Sequence, residues 1–266
     1  MTIVMGVLNV TPDSFSDGGL HADTEAAVTH GRLLASQGAE IIDVGGESTR
    51  PGATRVPEVE EMERVIPVIE ALVAHGITCS VDTMRASVAR AAVAAGARIV
   101  NDVSGGLADP DMLSTVADLG VDYVAMHWRG HSEVMQQHTD YTDVVTDVFA
   151  ELAARRDAAL AAGITAERII LDPGIGFAKT SEQNWQLLRG LDTFQAMGHR
   201  LLIGVSRKRF LGELLGDTPA ADRDAATAAV TTWCAIHGIW AVRTHEVTAQ
   251  RDAARVGQRL GNRAAG

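Results

Sequence analysis

The chain has 266 residues, of which 46% are hydrophobic and 21% are charged, the composition of an ordinary globular protein. Its formal net charge of -11 argues against a nucleic-acid partner, because binding to the phosphate backbone depends on clustered positive charge. An anionic small-molecule ligand must therefore meet a local group of basic side chains.

The sequence lacks the usual features of secreted and membrane proteins. Cys79 and Cys234 are too few for a disulfide framework and have no zinc-type spacing, so we interpret both as small buried hydrophobic residues. The N-terminal segment has no basic region or small-residue cleavage site typical of a signal peptide, and no apolar run is long enough to cross a membrane. We expect a cytoplasmic protein with no membrane partner.

Eight short apolar segments of strand length alternate with longer segments of helical periodicity, as repeated βα units require. The predicted strands cover residues 3–9, 40–44, 77–82, 98–101, 121–126, 168–171, 200–204 and 239–243. A closed α/β barrel needs eight strands, and its usual length matches this chain. Because no linker or change of composition divides the chain, the sequence predicts a single (β/α)8 TIM barrel over residues 1–266.

Residues that start and stop helices support this pattern. Asp109 is predicted to cap a helix with Pro110 in its first position, and Thr180 and Gln183 have the spacing of a capping box. Glycines are predicted to end the helices that precede Gly38, Gly76, Gly96, Gly120 and Gly163. The longest predicted helix covers residues 140–163, where core packing explains its apolar stripe.

Polar side chains follow most of the predicted strands. In a parallel barrel these positions share the face at the C-terminal ends of the strands, where barrel enzymes place their active sites. The side chains expected to converge there are Asn9, Asp43, Asp82, Asn101, Asp102, Asp172, Lys208, Arg243 and His245. The sequence therefore predicts a functional site at this face.

Seven segments carry a resemblance to one enzyme family. In chain order they read GVLNVTPDSFSDGG, DVGGESTRPGA, SVDT, VNDVSGG, DPGIGFAKT, GVSRKRF and VRTHEV. The chain resembles the dihydropteroate synthases over essentially its whole length. The resemblance implies a transferase of folate biosynthesis that joins 6-hydroxymethyl-7,8-dihydropterin, supplied as its pyrophosphate ester, to p-aminobenzoate and releases pyrophosphate. It also implies Mg²⁺, a homodimer and a sulfonamide target.

Given this resemblance, several residues suit the pterin ring. Asp172 is assigned to the amino-pyrimidinone edge, because a carboxylate can accept two adjacent N–H donors; a turn role before the following proline is the alternative. Asn101 completes the ring contacts, and Lys208 donates to the ring carbonyl and N5. The other predicted pterin neighbours are Asp82, Met126 and Phe177. Ordinary core packing explains Met126 nearly as well.

The pyrophosphate needs positive charge. Arg243 and His245 stand two residues apart at one strand end and hence on one side, where we predict that they bind it. A barrel salt bridge for Arg243 and a helix cap for His245 are the alternative. By the resemblance, Asn9 places Mg²⁺, since this ion keeps most of its waters and bridges substrate phosphates through few protein ligands.

The expected reaction is displacement at the pterin methylene with much cationic character, so the protein acts through charge placement and water exclusion. Asp17 and Asp82 are the candidates for stabilising the cation or orienting the ring, and Lys208 is the third predicted catalytic residue.

Loops 11–20 and 46–54 are predicted to act as lids. By the resemblance, they wall the p-aminobenzoate pocket through Phe15, Thr49, Arg50 and Pro51. Many family members have serine where this chain has Arg209, so the p-aminobenzoate carboxylate meets either Arg209 or only the helix N-terminus.

Three further residues could be functional but have less support from the sequence. Lys179 is interpreted as a surface lysine of the sixth loop. His127 and His131 have an i,i+4 spacing that binds metals on helices, but they follow a strand and lack a third ligand.

Other functions compete with the synthase. A pterin-binding methyltransferase domain shares the barrel and the pterin edge but needs no pyrophosphate site, so the intact VRTHE and STRPG segments disfavour it. A catalytically silent paralogue that binds pterin as a regulator or assembly partner stays open. A class-I aldolase would use Lys208 to form a Schiff base.

Overall fold

The computed structural model of the chain describes residues 1–11, 19–47, 55–131 and 138–261. Eight parallel strands close into a barrel in chain order, and the last strand pairs with the first. The strands are β1 Ile3–Asn9, β2 Ile41–Gly45, β3 Cys79–Asp82, β4 Ile99–Asp102, β5 Asp122–Met126, β6 Ile169–Asp172, β7 Arg200–Gly204 and β8 Ala241–Thr244. The predicted TIM barrel is confirmed, and every strand lies within two residues of its predicted position.

Helices occupy every connection between successive strands, and one helix follows β8. They are α1 Gly19–Gln37, α2 Glu58–Ala74, α3 Ala86–Ala94, α4 Met112–Leu119, α5 Val144–Ala161, α6 Ser181–Arg189, α7 Leu191–Gln195, α8 Arg209–Leu214, α9 Asp224–Ile236 and α10 Thr248–Gly261. None of the described helices has the length and apolar character needed to cross a membrane.

The alternation of side chains along each strand decides what reaches the barrel interior. One apolar layer fills the interior and consists of Met5, Ile41, Ile99, Val124, Ile170, Leu202 and Ala241. Successive inward positions are two residues apart, so the next inward layer includes Asp43, Asn101, Met126, Asp172 and Arg243. The interior therefore changes from apolar to charged within one step toward the C-terminal ends of the strands.

The remaining core lies between the strands and the helices. Outward-facing strand residues such as Val44, Val100 and Leu171 are fully buried there, together with Leu72 of α2 and Leu187 of α6. Burying one such side chain contributes about 1.5 to 3 kcal/mol. Both cysteines are buried and unpaired, as predicted.

Most of the predicted helix ends are confirmed. Thr180 and Gln183 form a reciprocal capping box at the start of α6. The prediction for Asp109 was wrong: α4 begins at Met112, and the Asp109 carboxylate instead accepts hydrogen bonds from the backbone of Ala86 and Asp111. The glycines predicted to end helices all adopt positive φ; they are Gly38, Gly76, Gly96, Gly120 and Gly163.

Candidate active site

A cavity of about 610 Å³ opens at the C-terminal ends of the strands. Its volume is typical of a site for a small molecule. The predicted site residues that line it are Asn9, Asn101, Met126, Asp172, Phe177, Lys208, Arg209, Arg243 and His245. Asp82 is buried beside this cavity, where Arg243 binds it. The structure thus brings together ten residues that the sequence predicted for one site.

The other predicted residues lie outside the described part of the chain. They are Phe15, Asp17, Thr49, Arg50 and Pro51. Most of the two predicted lid segments, 11–20 and 46–54, lie outside it as well. Their assignments stay predictions.

The cavity differs in charge from the rest of the protein. Among the described residues that line it, Asp172 is the one acidic side chain, whereas five are lysine or arginine. The basic residues are Lys179, Arg207, Lys208, Arg209 and Arg243. A chain with a formal net charge of -11 therefore presents a local basic surface, as an anionic ligand requires.

Four residues at the bottom of the cavity form what we call the floor cluster: Asp43, Asp82, Asn101 and Arg243. Arg243 donates from Nε to Asp43 Oδ2 (2.6 Å) and from Nη2 to Asp82 Oδ2 (2.7 Å). Asn101 Nδ2 donates to the same Asp43 oxygen (2.9 Å). Arg243 therefore makes the barrel salt bridge that was one interpretation of it, while its side chain still lines the cavity.

The charges of the floor cluster depend on one another. Burial and the nearby carboxylates of Asp43, Glu61 and Asp102 raise the pKa of Asp82 to about 7, against the opposing effect of Arg243. Burial alone would lower the pKa of Arg243, but Asp43 and Asp82 raise it instead. The guanidinium is therefore held as a cation at the centre of the floor.

Asp172 occupies the inward position at the end of β6. Its Oδ1 accepts a hydrogen bond from the Gly174 amide (2.7 Å), so the turn role that was the alternative is present. The residue also lines the cavity, where a carboxylate oxygen can accept further N–H donors. Burial raises its pKa, which Lys208 counteracts.

Lys208 and Phe177 line the cavity next to each other. The Lys208 ammonium donates to the Ile175 carbonyl and lies 4.4 Å from the centre of the Phe177 ring. Burial lowers the pKa of Lys208 to about 8, although Asp172 raises it. Phe177 packs with Met84, Val103 and Met126, which gives a flat ligand an apolar surface.

Arg209 and His245 also line the cavity. The Arg209 side chain is 73% exposed and pairs with Glu213 one turn further along α8. His245 Nδ1 lies 3.0 Å from Ser206 Oγ, and the same hydroxyl accepts a hydrogen bond from the His245 amide (3.1 Å). Ser206 therefore orients the imidazole in the cavity.

The donor set suits magnesium. Asn9 stands at the end of β1 and lines the cavity. The described residues contain no group of three or more His, Cys, Asp or Glu side chains that could hold a metal by themselves. A single amide oxygen agrees with an ion that keeps its waters and binds substrate phosphate.

Two predictions about this face were wrong. Asp102 does not face the cavity, because it lies one residue beyond the inward-facing Asn101; its carboxylate binds Tyr123, Ser104 and the Gly106 amide. Lys179 is not a surface residue, since it is only 2% exposed. Its ammonium contacts His127 Nδ1 and two backbone carbonyls.

The two histidines considered for zinc lie in different surroundings. His127 is buried between Lys179 and Glu151. His131 packs edge-on against Trp128, with ring centres 5.0 Å apart. Among the described residues, neither histidine belongs to a group of three or more His, Cys, Asp or Glu side chains that could hold a metal ion.

The sequence matches the family described as "Pterin binding enzyme" over residues 5–245. It is 52% identical over 259 residues to the dihydropteroate synthase of Mycobacterium leprae, which covers 95% of this chain and 91% of that protein. The chain belongs to the dihydropteroate synthase family. The family predicted from the seven sequence segments is thereby confirmed.

Two solved structures of this family resemble the barrel closely. The dihydropteroate synthase of Xanthomonas albilineans with 4-aminobenzoic acid has a TM-score of 0.91 and 48% identity, over 98% of this chain and 93% of that one. The same enzyme in complex with 7,8-dihydropteroate has a TM-score of 0.88 and 45% identity, over 98% and 94% of the two chains. The pterin-binding methyltransferase interpretation is therefore disfavoured.

Sequence reasoning missed two residues of this synthase-family site. Ser206 stands within GVSRKRF, but a serine between Val205 and Arg207 gives no sign that it orients His245, which lies 39 residues further along the chain. Lys179 stands before a helix start, where an exposed lysine is common. Its partner His127 is 52 residues away in sequence, so no local pattern reveals the contact.

Proposed function

We propose that the chain condenses 6-hydroxymethyl-7,8-dihydropterin pyrophosphate with p-aminobenzoate to give 7,8-dihydropteroate and pyrophosphate. The observation that carries this proposal is the cavity itself, which combines one buried carboxylate, an apolar wall and several basic side chains. The relatives that share the fold and about half of the sequence are dihydropteroate synthases, one of them in complex with 7,8-dihydropteroate.

In this proposal the pterin ring lies between the floor cluster and the 173–178 turn. Asp172 accepts from the amino-pyrimidinone edge, Asn101 bonds the ring, and Lys208 donates to the ring carbonyl and N5. Met126 and Phe177 pack on the ring faces. The support is that these side chains line one cavity, where Met126 and Phe177 belong to one apolar cluster.

The leaving group is proposed to lie against the basic part of the cavity. Arg243 and His245 bind the pyrophosphate, and Asn9 would hold Mg²⁺. When bound, the ion adds positive charge beside the leaving group. Arg243 can serve this role because its cationic state is maintained by Asp43 and Asp82.

The reaction forms a bond from the aniline nitrogen of p-aminobenzoate to the pterin methylene and breaks the methylene–oxygen bond. The oxygen leaves with pyrophosphate, and the nitrogen loses one proton. The buried carboxylates of Asp82 and Asp172 stabilise cationic character in the ring as the oxygen departs. No covalent intermediate with the protein is required.

Pyrophosphate release by the purified chain tests this function. We expect release from the dihydropterin pyrophosphate only when Mg²⁺ and p-aminobenzoate are both present, together with formation of 7,8-dihydropteroate. Equal release without p-aminobenzoate would identify a hydrolase. Binding of pterin without any release would favour the catalytically silent paralogue, and trapping of a carbonyl substrate on Lys208 by borohydride would favour the aldolase.

We also propose that the protein acts as a homodimer. The support is a group of large apolar side chains exposed on the packed pair α9 and α10: Trp233, Ile236, Val256 and Leu260. Light scattering after size-exclusion chromatography should give twice the mass of 28.1 kDa. A single-chain mass at micromolar concentration would contradict the proposal.

A further inference from the structure

Lys179 lies inside the turn that follows β6. Its ammonium contacts His127 Nδ1 (3.0 Å), the Gly174 carbonyl (3.0 Å) and the Phe177 carbonyl (2.9 Å). All three partners can act as acceptors, so the protonated amine, with its three donors, satisfies every one of them. The buried charge is therefore fully hydrogen-bonded within the protein.

The backbone of this turn is held in a conformation that needs support. Gly174, Gly176 and Ala178 have φ angles of 69°, 84° and 50°, all in the left-handed region. Alanine adopts this region only when its surroundings impose it. The two Lys179 contacts to carbonyls of the same turn supply that constraint.

This turn also positions groups that face the cavity. The Gly174 amide donates to Asp172 Oδ1 (2.7 Å), and the Ile175 carbonyl accepts from the Lys208 ammonium. Phe177, whose carbonyl binds Lys179, presents its ring to Lys208 at 4.4 Å. One buried ammonium thus lies one contact away from three residues assigned to the pterin.

Lys179 is itself supported from the other side by a chain of contacts. His127 Nε2 lies 2.9 Å from Glu151 Oε2, and Arg129 donates to both oxygens of Glu151. The Arg129 guanidinium stacks 3.8 Å from the Tyr141 ring centre, and the Tyr141 hydroxyl donates to the Ala178 carbonyl (3.1 Å). This chain of contacts therefore begins at Lys179 and ends at the backbone of Ala178 in the same turn. We call Lys179, His127, Glu151 and Arg129 the turn cluster.

Burial and the neighbouring Lys208 ammonium lower the pKa of Lys179 to about 7, although Asp172 raises it, so this arrangement describes the protonated form of Lys179. Because Lys179 donates to His127 Nδ1, the imidazole proton lies on Nε2 and is donated to Glu151. Burial, with the positive charge of Lys179, lowers the pKa of His127 to about 4. The imidazole is thus a neutral connector between an ammonium and a carboxylate.

Resting on the function proposed above, we propose that Lys179 is a positioning residue for pterin binding, with His127 and Glu151 as its supports. It acts by fixing the 173–178 turn and, through that turn, Asp172, Phe177 and Lys208. Lys179 lines part of the cavity wall, but its three bonds are all to protein acceptors. The ammonium therefore holds the site and does not take part in the reaction.

The first test replaces Lys179 by methionine, which keeps the length of the side chain and removes its donors. We expect the affinity for 6-hydroxymethylpterin, measured by calorimetry, to fall about tenfold, while the Michaelis constant for p-aminobenzoate stays within about twofold. Hydrogen exchange at the Gly174 and Gly176 amides should accelerate in the ligand-free protein. A loss of pterin affinity with an unchanged Michaelis constant for p-aminobenzoate distinguishes a positioning role from a general loss of stability.

A second pair of variants keeps the proposal testable if Lys179→Met does not fold. Glu151 is 41% exposed and lies outside the cavity lining, so Glu151→Ala should leave the fold intact. We expect a loss of pterin affinity of about threefold, and recovery in Glu151→Gln, whose carbonyl still accepts from His127. Asp157→Ala is the matched control, because Asp157 makes a surface salt bridge on the same helix without contact to the turn cluster.

Each outcome decides the proposal. It is overturned if Lys179→Met and Glu151→Ala lower thermal stability but leave both pterin affinity and turn exchange unchanged, or if Asp157→Ala has the same effect as Glu151→Ala. If the parent chain binds no pterin at all, the proposed function fails instead. In that case the exchange rates at Gly174 and Gly176 still show whether Lys179 fixes the turn.

Discussion

The floor cluster and the turn cluster both bury charge beside the same cavity, but they are held in different ways. The floor cluster is built entirely on strands, so the barrel fixes Asp43, Asp82 and Arg243 through backbone pairing. The turn cluster joins the end of β5, helix α5 and, through Lys179, the 173–178 turn. Side-chain contacts, two of them to backbone carbonyls, hold the turn to the other segments, and a backbone bond from His127 to Asp172 (2.9 Å) joins the end of β5 to β6.

This difference separates two kinds of sensitivity. Removing a floor residue leaves a buried charge unpaired within a rigid framework, so stability suffers first. Removing a turn residue releases a short segment while the barrel stays intact, so ligand binding suffers first. The predictions below test this contrast, from the largest expected effect to the smallest.

Arg243→Met should have the largest effect on stability. It leaves the buried carboxylates of Asp43 and Asp82 without their cation, and we expect a loss of about 3 to 5 kcal/mol in urea unfolding. Arg200→Met is the matched control, because Arg200 lies on the neighbouring strand in a partly exposed pair with Asp122. Its free energy of unfolding should fall by about 0 to 1 kcal/mol. Similar losses in both variants would contradict the idea that buried ion pairs stabilise the floor cluster.

Asp172→Asn should lower pterin affinity at least tenfold with the fold unchanged. The amide can still accept from Gly174, but one carboxylate oxygen becomes a donor that opposes a ring N–H, an unfavourable contact of about 1 to 3 kcal/mol. Calorimetry with 6-hydroxymethylpterin measures the change. Asp122→Asn, at the opposite end of the neighbouring strand, should bind normally; undiminished binding by Asp172→Asn would remove Asp172 from the site.

The activity of the parent enzyme should fall as pH rises through about 8. The pKa of Lys208 is lowered to about 8, so the ammonium is present below this pH and is lost above it. We expect kcat/KM for the pterin substrate to fall about tenfold per pH unit on the alkaline side. Lys208→Arg keeps the cation at high pH and should shift the decrease in kcat/KM to higher pH. An unchanged pH profile would show that another group controls the decrease.

Thr180→Ala should have the smallest effect. It removes the capping box of α6 directly after Lys179, and we expect a loss of about 1 kcal/mol in thermal or urea unfolding. Pterin affinity should stay unchanged, because the contacts of Lys179 do not involve this side chain. A large loss of affinity here would mean that general loosening of this region, rather than the turn cluster, controls binding.

The residues of the floor could be predicted from the sequence because each one follows a strand. Asp82, Asn101, Asp172 and Arg243 lie where parallel strands end, and the closed barrel brings such positions together. The prediction for Asp102 was wrong because Asn101 and Asp102 are consecutive residues of β4, so only one of them can face the cavity. The next position along a strand faces the opposite side, so Asn101 reaches the cavity and Asp102 reaches Tyr123.

Lys179 shows where local patterns stop being informative. Its sequence neighbours Thr180 and Gln183 were correctly predicted to start a helix, and a lysine before a helix is usually solvated. Burial of its ammonium depends on His127, which lies at the end of another strand, and on two carbonyls aimed inward by left-handed residues. Neither condition is visible in a nine-residue motif.

The strand count, the face that carries the site, the family and most of the cavity residues could all be predicted from the amino-acid sequence, since these follow from periodicity along the chain and from short motifs. Tertiary structure decided how the charges are partnered. Arg243 meets Asp43 at a separation of 200 residues, and Lys179 meets His127 at a separation of 52. Whether a charged side chain is exposed or buried depends on such distant acceptors, because burial is tolerated only where the folded chain supplies hydrogen-bonding partners in place of water.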